Sequence, residues 1–399
     1  MTDFDFTYKS PSTQHKGRLG TLKTPHGSIE TPAFIFCATK GAVKGLMPQQ
    51  LKDAGCQIIL SNTYHMLIQP GPDRVHQLGG LQKMTGWGGP MLTDSGGFQI
   101  FSLGHGSVAS EIKGRRSGNQ RKTLLGITEE GATFKSYRDG STHLLTPEDS
   151  IRIQRGLGAD LILVLDECTP FHVDKQYTAR SMEMSHRWAK RSYDAFEQTH
   201  HMPHTPQALY GIVQGGVYED LRRESTQFVN EMPFFGHAVG GSLGQDKSQM
   251  DDIVAMTLGM LSPERPVHLL GIGGIQDIFK GVMQGVDTFD CVHPTRIARH
   301  GGALVPPTHW KGPGSPKEHL NLRNKCFEDD TGPIDPGCPC ETCKTLSRGA
   351  LHYLLKAKEM TAIIAITLHN VTFMNRLMTA VRNALKNDTL IETQKEWTF

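Results

Sequence analysis

Eight short runs rich in aliphatic and β-branched residues recur along this sequence: Ala33 to Ala38, Ile58 to Ser61, Met91 to Thr93, Leu161 to Leu165, Leu209 to Val213, His237 to Gly240, Val267 to Gly271 and Thr288 to Val292. Helix-length stretches such as Thr178 to Glu197 and Asp246 to Leu261 separate most of them. Runs that are apolar on both faces and alternate with helices mark a parallel sheet covered on both sides. Eight of them predict an α/β fold, a closed (β/α)8 TIM barrel. A doubly wound open sheet is the competing arrangement.

Two stretches break the repeat. Between the third and fourth runs, residues 95–149 contain Gly131 and the Asp139-Gly140 pair flanked by alternating residues, which predicts a hairpin insertion above the barrel. After the eighth run, a Pro/Gly-rich segment from His293 to Cys340 leads into two helical patterns. In the second, Val371, Met374, Met378, Val381 and Leu385 keep three-four spacing and read as a core stripe.

The longest unbroken aliphatic run, Leu161 to Leu165, is far shorter than the roughly 20 residues a membrane helix needs. The start Met1-Thr2-Asp3-Phe4-Asp5 has no basic stretch before an apolar one. Neither membrane spanning nor Sec-type secretion is therefore expected. Three of the eight cysteines crowd together, which suits a metal better than disulfides and points to a reducing cytoplasm. The net charge of +2 gives no global signature of a polyanion partner, so such a partner would need a local patch.

The loops at the carboxyl ends of barrel strands build active sites, so the polar residues that follow each run carry the functional reading. Asp94 follows the third run, Asp166 the fourth, Gln214 the fifth and Gly241 the sixth, while Asp290 lies in the eighth. A lone aspartate after a strand is ordinarily a cap or turn residue. Three, with a glutamine, suit cleavage through an oxocarbenium-like transition state by a nucleophile, a proton donor and a group reading the leaving base or sugar. The same acids with His293 could instead hold a divalent metal, although no second histidine follows these strand ends closely. Gly-rich loops at Asp94 to Phe98 and Gly271 to Gly274 allow close backbone approach to a ligand, but a tight turn alone would explain either. The denser loop Gly240 to Gly244 favours approach to a planar ligand.

The spacing Cys338-Pro339-Cys340-Glu341-Thr342-Cys343 packs three thiolates together, and a tetrahedral zinc is their natural partner. His369 is the expected fourth ligand because it lies where one helical pattern gives way to the next, whereas His352 falls amid an apolar stripe. Four protein ligands with no open position make one structural Zn2+. The domains expected are a barrel over 1–292, a zinc-binding subdomain over 293–370 and a C-terminal helix over 371–399 that packs back on the barrel. From His293 to Phe327, six basic residues (Arg296, Arg299, Lys311, Lys317, Arg323 and Lys325) face the single acid Glu318. With Trp310 interleaved, this patch suits a nucleic-acid backbone, or is simply a solvated loop.

Several motifs together resemble one family. They are Thr93-Asp94-Ser95-Gly96-Gly97-Phe98-Gln99, Asp166-Glu167-Cys168-Thr169-Pro170, Tyr210 to Gly215, Phe289 to Arg296, Ser61-Asn62-Thr63-Tyr64-His65, Gly79-Gly80-Leu81 and the cysteine cluster with its distant histidine. From about Gly20 to Leu385 the chain resembles tRNA-guanine transglycosylases. The resemblance implies a TIM barrel with a zinc subdomain after the last strand, acting on the anticodon stem-loop of tRNA at the wobble guanosine of GUN anticodons. It implies Asp290 as the nucleophile at ribose C1′ and Asp94 as general acid and base. It assigns Asp166, Gln214 and Gly241 to the edges of the purine, Phe98 to stacking on it, and Ser95, Gly96, Gly97 and Leu270 to the same pocket. RNA contacts are implied for Gly271, Ile272, Gly273, Gly274, Ile275, Gln276 and Asp277, and for Thr295, Arg296, Ile297, Ala298 and Arg299.

Departures from the family bear on the incoming 7-deazaguanine base. Typical bacterial members carry Gly-Gly-Leu-Ala-Val-Gly-Glu where this chain has Gly240 to Asp246, which puts Gly244 at the place of valine. Eukaryotic members, which accept queuine, also have glycine there. Queuine salvage is thus expected, with the smaller 7-aminomethyl-7-deazaguanine precursor as the alternative base. Leu270 replaces a usual methionine and Gln69 a common arginine, and the segment from Asp290 to Cys338 is about ten residues longer than usual. A noncatalytic partner subunit is disfavoured because Asp94, Asp166 and Asp290 are all present. The archaeal D-loop relative is disfavoured because little chain follows the last core helix. By similarity to bacterial members a cytoplasmic homodimer is expected, with the zinc region near its interface.

Overall fold

A computed structural model of the chain describes residues 3–10, 12–105, 123–169, 173–200, 206–241, 243–244 and 246–399. The eight apolar runs are eight strands: β1 (Ala33–Cys37), β2 (Ile59–Ser61), β3 (Met91–Thr93), β4 (Leu161–Leu163), β5 (Ala208–Val213), β6 (Gly236–Val239), β7 (Val267–Leu269) and β8 (Thr288–Cys291). They form a closed barrel in sequence order, so the open-sheet alternative falls away. The registers are parallel, with Leu161 opposite Leu92 and Ala208, Tyr210 opposite Gly236, and Asp290 opposite Ile35. The strands are buried almost throughout, as expected where helices cover one face and barrel side chains fill the other.

The intervening helices begin where capping chemistry allows. Thr146 accepts from the Asp149 N–H at 3.1 Å and starts Pro147–Leu157, with Pro147 at its first position. Asp174 caps Lys175–Gln198, and Asp246 caps Lys247–Leu258. These aspartates have the bland role that a lone post-strand aspartate usually has. Asp94, Asp166 and Asp290 do not cap the helices that follow their strands.

The chain divides into two compact units, one of residues 1–6, 23–27 and 61–270, the other of residues 7–22, 28–60 and 271–399. In the first, the expected insertion contains a three-stranded antiparallel sheet, Leu124–Ile127, Ala132–Lys135 and Thr142–Leu145. Its turns fall at Gly131 and Gly140, as the sequence suggested. The part of the insertion over 106–122 lies outside the described residues.

In the second unit, Arg18 pairs with the fully buried Asp287, the residue before β8. Beyond β8, a hairpin of Gly302–Leu304 and His319–Asn321 and the helix Arg348–Lys356 pack on the long helix Met360–Asn387 around Val305, Leu320, Leu322, Phe327, Leu351 and Ile366. The sequence expected two helical patterns meeting near His369. One uninterrupted helix of 28 residues is found instead, because nothing between Met360 and Asn387 breaks the apolar stripe and no glycine or proline interrupts it. Val371, Met374, Met378, Val381 and Leu385 are buried core residues. Among the described residues, no helix is long and apolar enough to cross a membrane.

Candidate functional site

In the first unit, residues at the ends of β3, β4, β5 and β6 converge on Asp166. Its carboxyl is buried; Gln214 Nε2 donates to Oδ2 at 2.6 Å, and Ser95 Oγ donates to Oδ1 at 3.3 Å. The Ser95 hydroxyl in turn accepts from the Gly97 N–H at 3.2 Å. A Cβ on Gly97 would stand 2.6 Å from Asp166 Oδ1, so only glycine lets this turn lie against the carboxyl. Burial pushes the Asp166 carboxyl up to about 6, and the bonds from Gln214 and Ser95 hold back only part of that rise.

Gly241 adopts φ +78°, and a Cβ there would lie 2.4 Å from Gln214 Oε1, so the Gly240-Gly241 turn packs directly on the amide. Gln214 Oε1 is itself buried with no hydrogen-bond partner, an unmet acceptor beside Asp166. A Cβ on Gly240 would come within 3.3 Å of the Leu270 side chain, which puts the predicted cover residue beside this loop. Phe98 is 49% exposed near the start of the helix Gly97–His105. Gly244 has φ +118°, a conformation closed to valine. Pro170, Ser242 and Gln245 lie outside the described residues.

Sequence reasoning gave no role to three residues that shape this region. Asn62 caps the helix Thr63–Ile68 through Oδ1, which accepts from the His65 N–H at 3.1 Å, and its Nδ2 donates to Asp94 Oδ2. The Thr63 N–H donates to Asp94 Oδ1 at 2.8 Å, so both oxygens of Asp94 are held. The motif Ser61 to His65 was the only signal of this. Arg222 is fully buried and donates to Gly216 O at 2.8 Å, Val213 O at 3.2 Å and Gly240 O at 3.0 Å, tying the loops after β5 and β6 together. No sequence signal marked it.

In the second unit, Asp290 is 8% exposed near the end of β8. Its Oδ1 accepts from the Gly271 N–H at 2.8 Å, and the Cys37 thiol donates to Oδ2 at 3.7 Å. This is a carboxylate fixed in direction by a backbone donor. Of the residues expected to touch RNA, Gly271, Gln276 and Arg296 are exposed, and Ile272, Gly274, Asp277, Ile297 and Arg299 are half-buried. Gly273, Ile275, Thr295 and Ala298 are buried; Ile275 and Ala298 are core side chains.

The four metal-ligand atoms of Cys338, Cys340, Cys343 and His369 lie within 4.8 Å of one another. His369 Nδ1 is 3.3 Å from Cys343 Sγ and 3.8 Å from Cys340 Sγ, while Nε2 donates to Leu304 O at 2.7 Å. A backbone acceptor on the far ring nitrogen leaves Nδ1 free of its proton and aimed at the thiols, the usual support for a metal-bound histidine. The donor set fits a tetrahedral metal. His352 is instead bonded to Leu322 O at 2.9 Å through Nδ1, so it has a structural role.

Comparison with known proteins agrees with this geometry. A protein of Roseiflexus sp. (strain RS-1) named queuine tRNA-ribosyltransferase is 44% identical over 99% of this chain and 98% of its own length. One of the same name from Protochlamydia amoebophila (strain UWE25) is 44% identical over 97% of both. A putative queuine tRNA-ribosyltransferase of Archaeoglobus fulgidus is 39% identical over 98% of both. The profile of queuine tRNA-ribosyltransferases matches residues 13–398, and the chain therefore belongs to this family of pentosyltransferases.

Proposed function

We propose that this protein exchanges the wobble guanine of tRNAs with GUN anticodons for a 7-deazaguanine base, by double displacement through Asp290. An Asp290 oxygen attacks ribose C1′, the C1′–N9 bond breaks, and guanine leaves with the electron pair as Asp94 delivers a proton. The incoming base then gives its N9 proton to Asp94 and displaces the ester at C1′. Two displacements at one carbon retain the β-anomer. Ionised Asp166 accepts from the purine N1–H and exocyclic amine, while Gln214 and the Gly241 N–H donate to the carbonyl oxygen. Phe98 stacks on the ring.

The observation that carries this reading is the set of donors and acceptors gathered on Asp166, which complements one edge of guanine. Its test is a mass spectrum of denatured protein after incubation with an anticodon stem-loop. An adduct of stem-loop mass minus guanine is expected on wild type; its absence would remove the covalent step.

Queuine is the proposed incoming base, supported by the φ of Gly244. A valine there would have to reroute the loop as well as fill space. Wild type is expected to incorporate queuine, and Gly244→Val to lose it by roughly tenfold or more relative to the precursor. Rejection of queuine by wild type would leave the precursor as substrate. One structural Zn2+ is the proposed metal, held by Cys338, Cys340, Cys343 and His369, and the tRNA substrate implies a cytoplasmic location. For the homodimer, support comes from exposed apolar side chains in the second unit, Met47, Tyr353, Met360 and Ile364.

A further inference from the structure

A cleft of about 400 Å³ opens within the second unit, and its walls include Gln276, His293, Lys317, Glu318, His319 and Phe399. Phe399 is 48% exposed, and its ring meets Trp310 edge-on, with centroids 6.4 Å apart and planes at 84°. It is an aromatic face held in place. The rings of His293 and His319 also meet edge to face, at 6.3 Å and 72°. Burial holds both imidazoles below their ordinary range; nearby His319 and Arg296 add to this for His293, and Lys317 for His319. Each is therefore a neutral ring at pH 7, offering one donor and one acceptor.

The walls are built on ordered backbone. His319 pairs with Leu304 in the hairpin, and Glu318 O accepts from the Val305 N–H at 3.1 Å. His293 opens the helix that follows β8, three residues after Asp290. Lys317 is exposed, and the stretch from His293 to Phe327 is strongly basic.

These groups match the demands of one unstacked ribonucleotide. The aromatic face suits a base, the neutral imidazoles and the Gln276 amide suit base edges, Glu318 suits a 2′-hydroxyl, and Lys317 suits a phosphate. The volume falls in the range of ligand clefts. We propose that this cleft is a subsite for one nucleotide of the substrate RNA, flanking the reacting guanosine in the same loop. The inference rests on the base-exchange reading. A free nucleoside monophosphate has the same chemistry, so the test separates the two sources.

The experiment compares wild type with Lys317→Ala, Phe399→Leu and Phe399→Trp. It uses labelled-guanine exchange into an anticodon stem-loop, anisotropy titration of the labelled stem-loop, and millimolar adenosine monophosphate as competitor. Lys317→Ala and Phe399→Leu should each raise the stem-loop KM about fivefold or more, with kcat and the guanine KM unchanged, and Phe399→Trp should restore it. Lys317→Ala should also reduce the slope of log affinity against log salt by about 0.7. Unchanged stem-loop KM and affinity in both variants would overturn the subsite. So would competition by the free mononucleotide in wild type that Lys317→Ala abolishes without altering stem-loop binding. Failure of wild type to exchange guanine would sink the base-exchange reading alone, because the anisotropy titration still decides the cleft.

Discussion

The metal cluster and the purine-reading cluster are assembled in opposite ways. Three of the four metal ligands fall between Cys338 and Cys343, and the fourth is delivered by one helix whose other contacts are buried core. Around Asp166, by contrast, Ser95, Gly97, Gln214 and Gly241 arrive from four strand ends, and no two strands supply neighbouring stretches of chain. A local cluster needs short-range spacing and one long-range partner; a strand-end cluster exists only once the barrel has closed. The first should therefore respond to loss of its metal, and the second to changes in a single buried charge.

The largest effect is expected outside both. Asp290→Ala removes the proposed nucleophile and should lower labelled-guanine exchange by roughly 10³-fold or more. Retained exchange would mean that the carboxylate held by Gly271 is not the attacking group. Next comes the metal. Chelation, or His369→Ala, should destabilise the second unit by several kcal/mol, read as a lowered thermal midpoint that added Zn2+ restores only for the chelated wild type. If chelation leaves the midpoint unchanged, the four ligands pack without a metal and the comparison loses one side.

Asp166 sharpens the other side. Its carboxyl is pushed up to about 6 in the folded protein, above the usual carboxylate range of the unfolded chain. The stability tied to this group is thus fully present below the unfolded pKa, near 4, and is lost as pH rises through about 6. That is a loss of about 3 kcal/mol at most. Guanine binding should run the other way, because the N1–H and amine need an ionised acceptor: affinity should fall as pH drops below about 6. Asp166→Asn should flatten both profiles and weaken guanine by roughly 10²-fold. A guanine affinity level from pH 5 to 8 would show that the carboxyl does not read the base.

What was legible in the sequence follows the same division. The eight strands could be read because each is a run apolar on both faces, and the three thiols because metal ligation imposes a short spacing. Asp94, Asp166, Gln214 and Gly241 could be placed at strand ends, but their mutual contacts could not, since those depend on barrel register. Arg222 was illegible because a buried arginine bonded to three carbonyls has the same one-letter signature as a solvated helix residue. The continuity of the helix through His369 was missed because two apolar stripes were read as two helices.

Asn62 gives the smallest effect and the finest test, because two functions share one side chain. Its Oδ1 caps a short helix and its Nδ2 holds Asp94. Asn62→Ala should cost about 1 kcal/mol of stability from the lost cap, and about tenfold in kcat from a misdirected Asp94. Asn62→Asp keeps an acceptor for the His65 N–H but replaces the donor with a like charge against Asp94. If Asn62 acts by orienting Asp94, the aspartate variant keeps the thermal midpoint and yet loses more rate than the alanine variant. If it acts only as a cap, the aspartate variant recovers both. Guanine exchange measured beside thermal melting separates the two outcomes, since a purely structural role ties rate to stability and an orienting role does not.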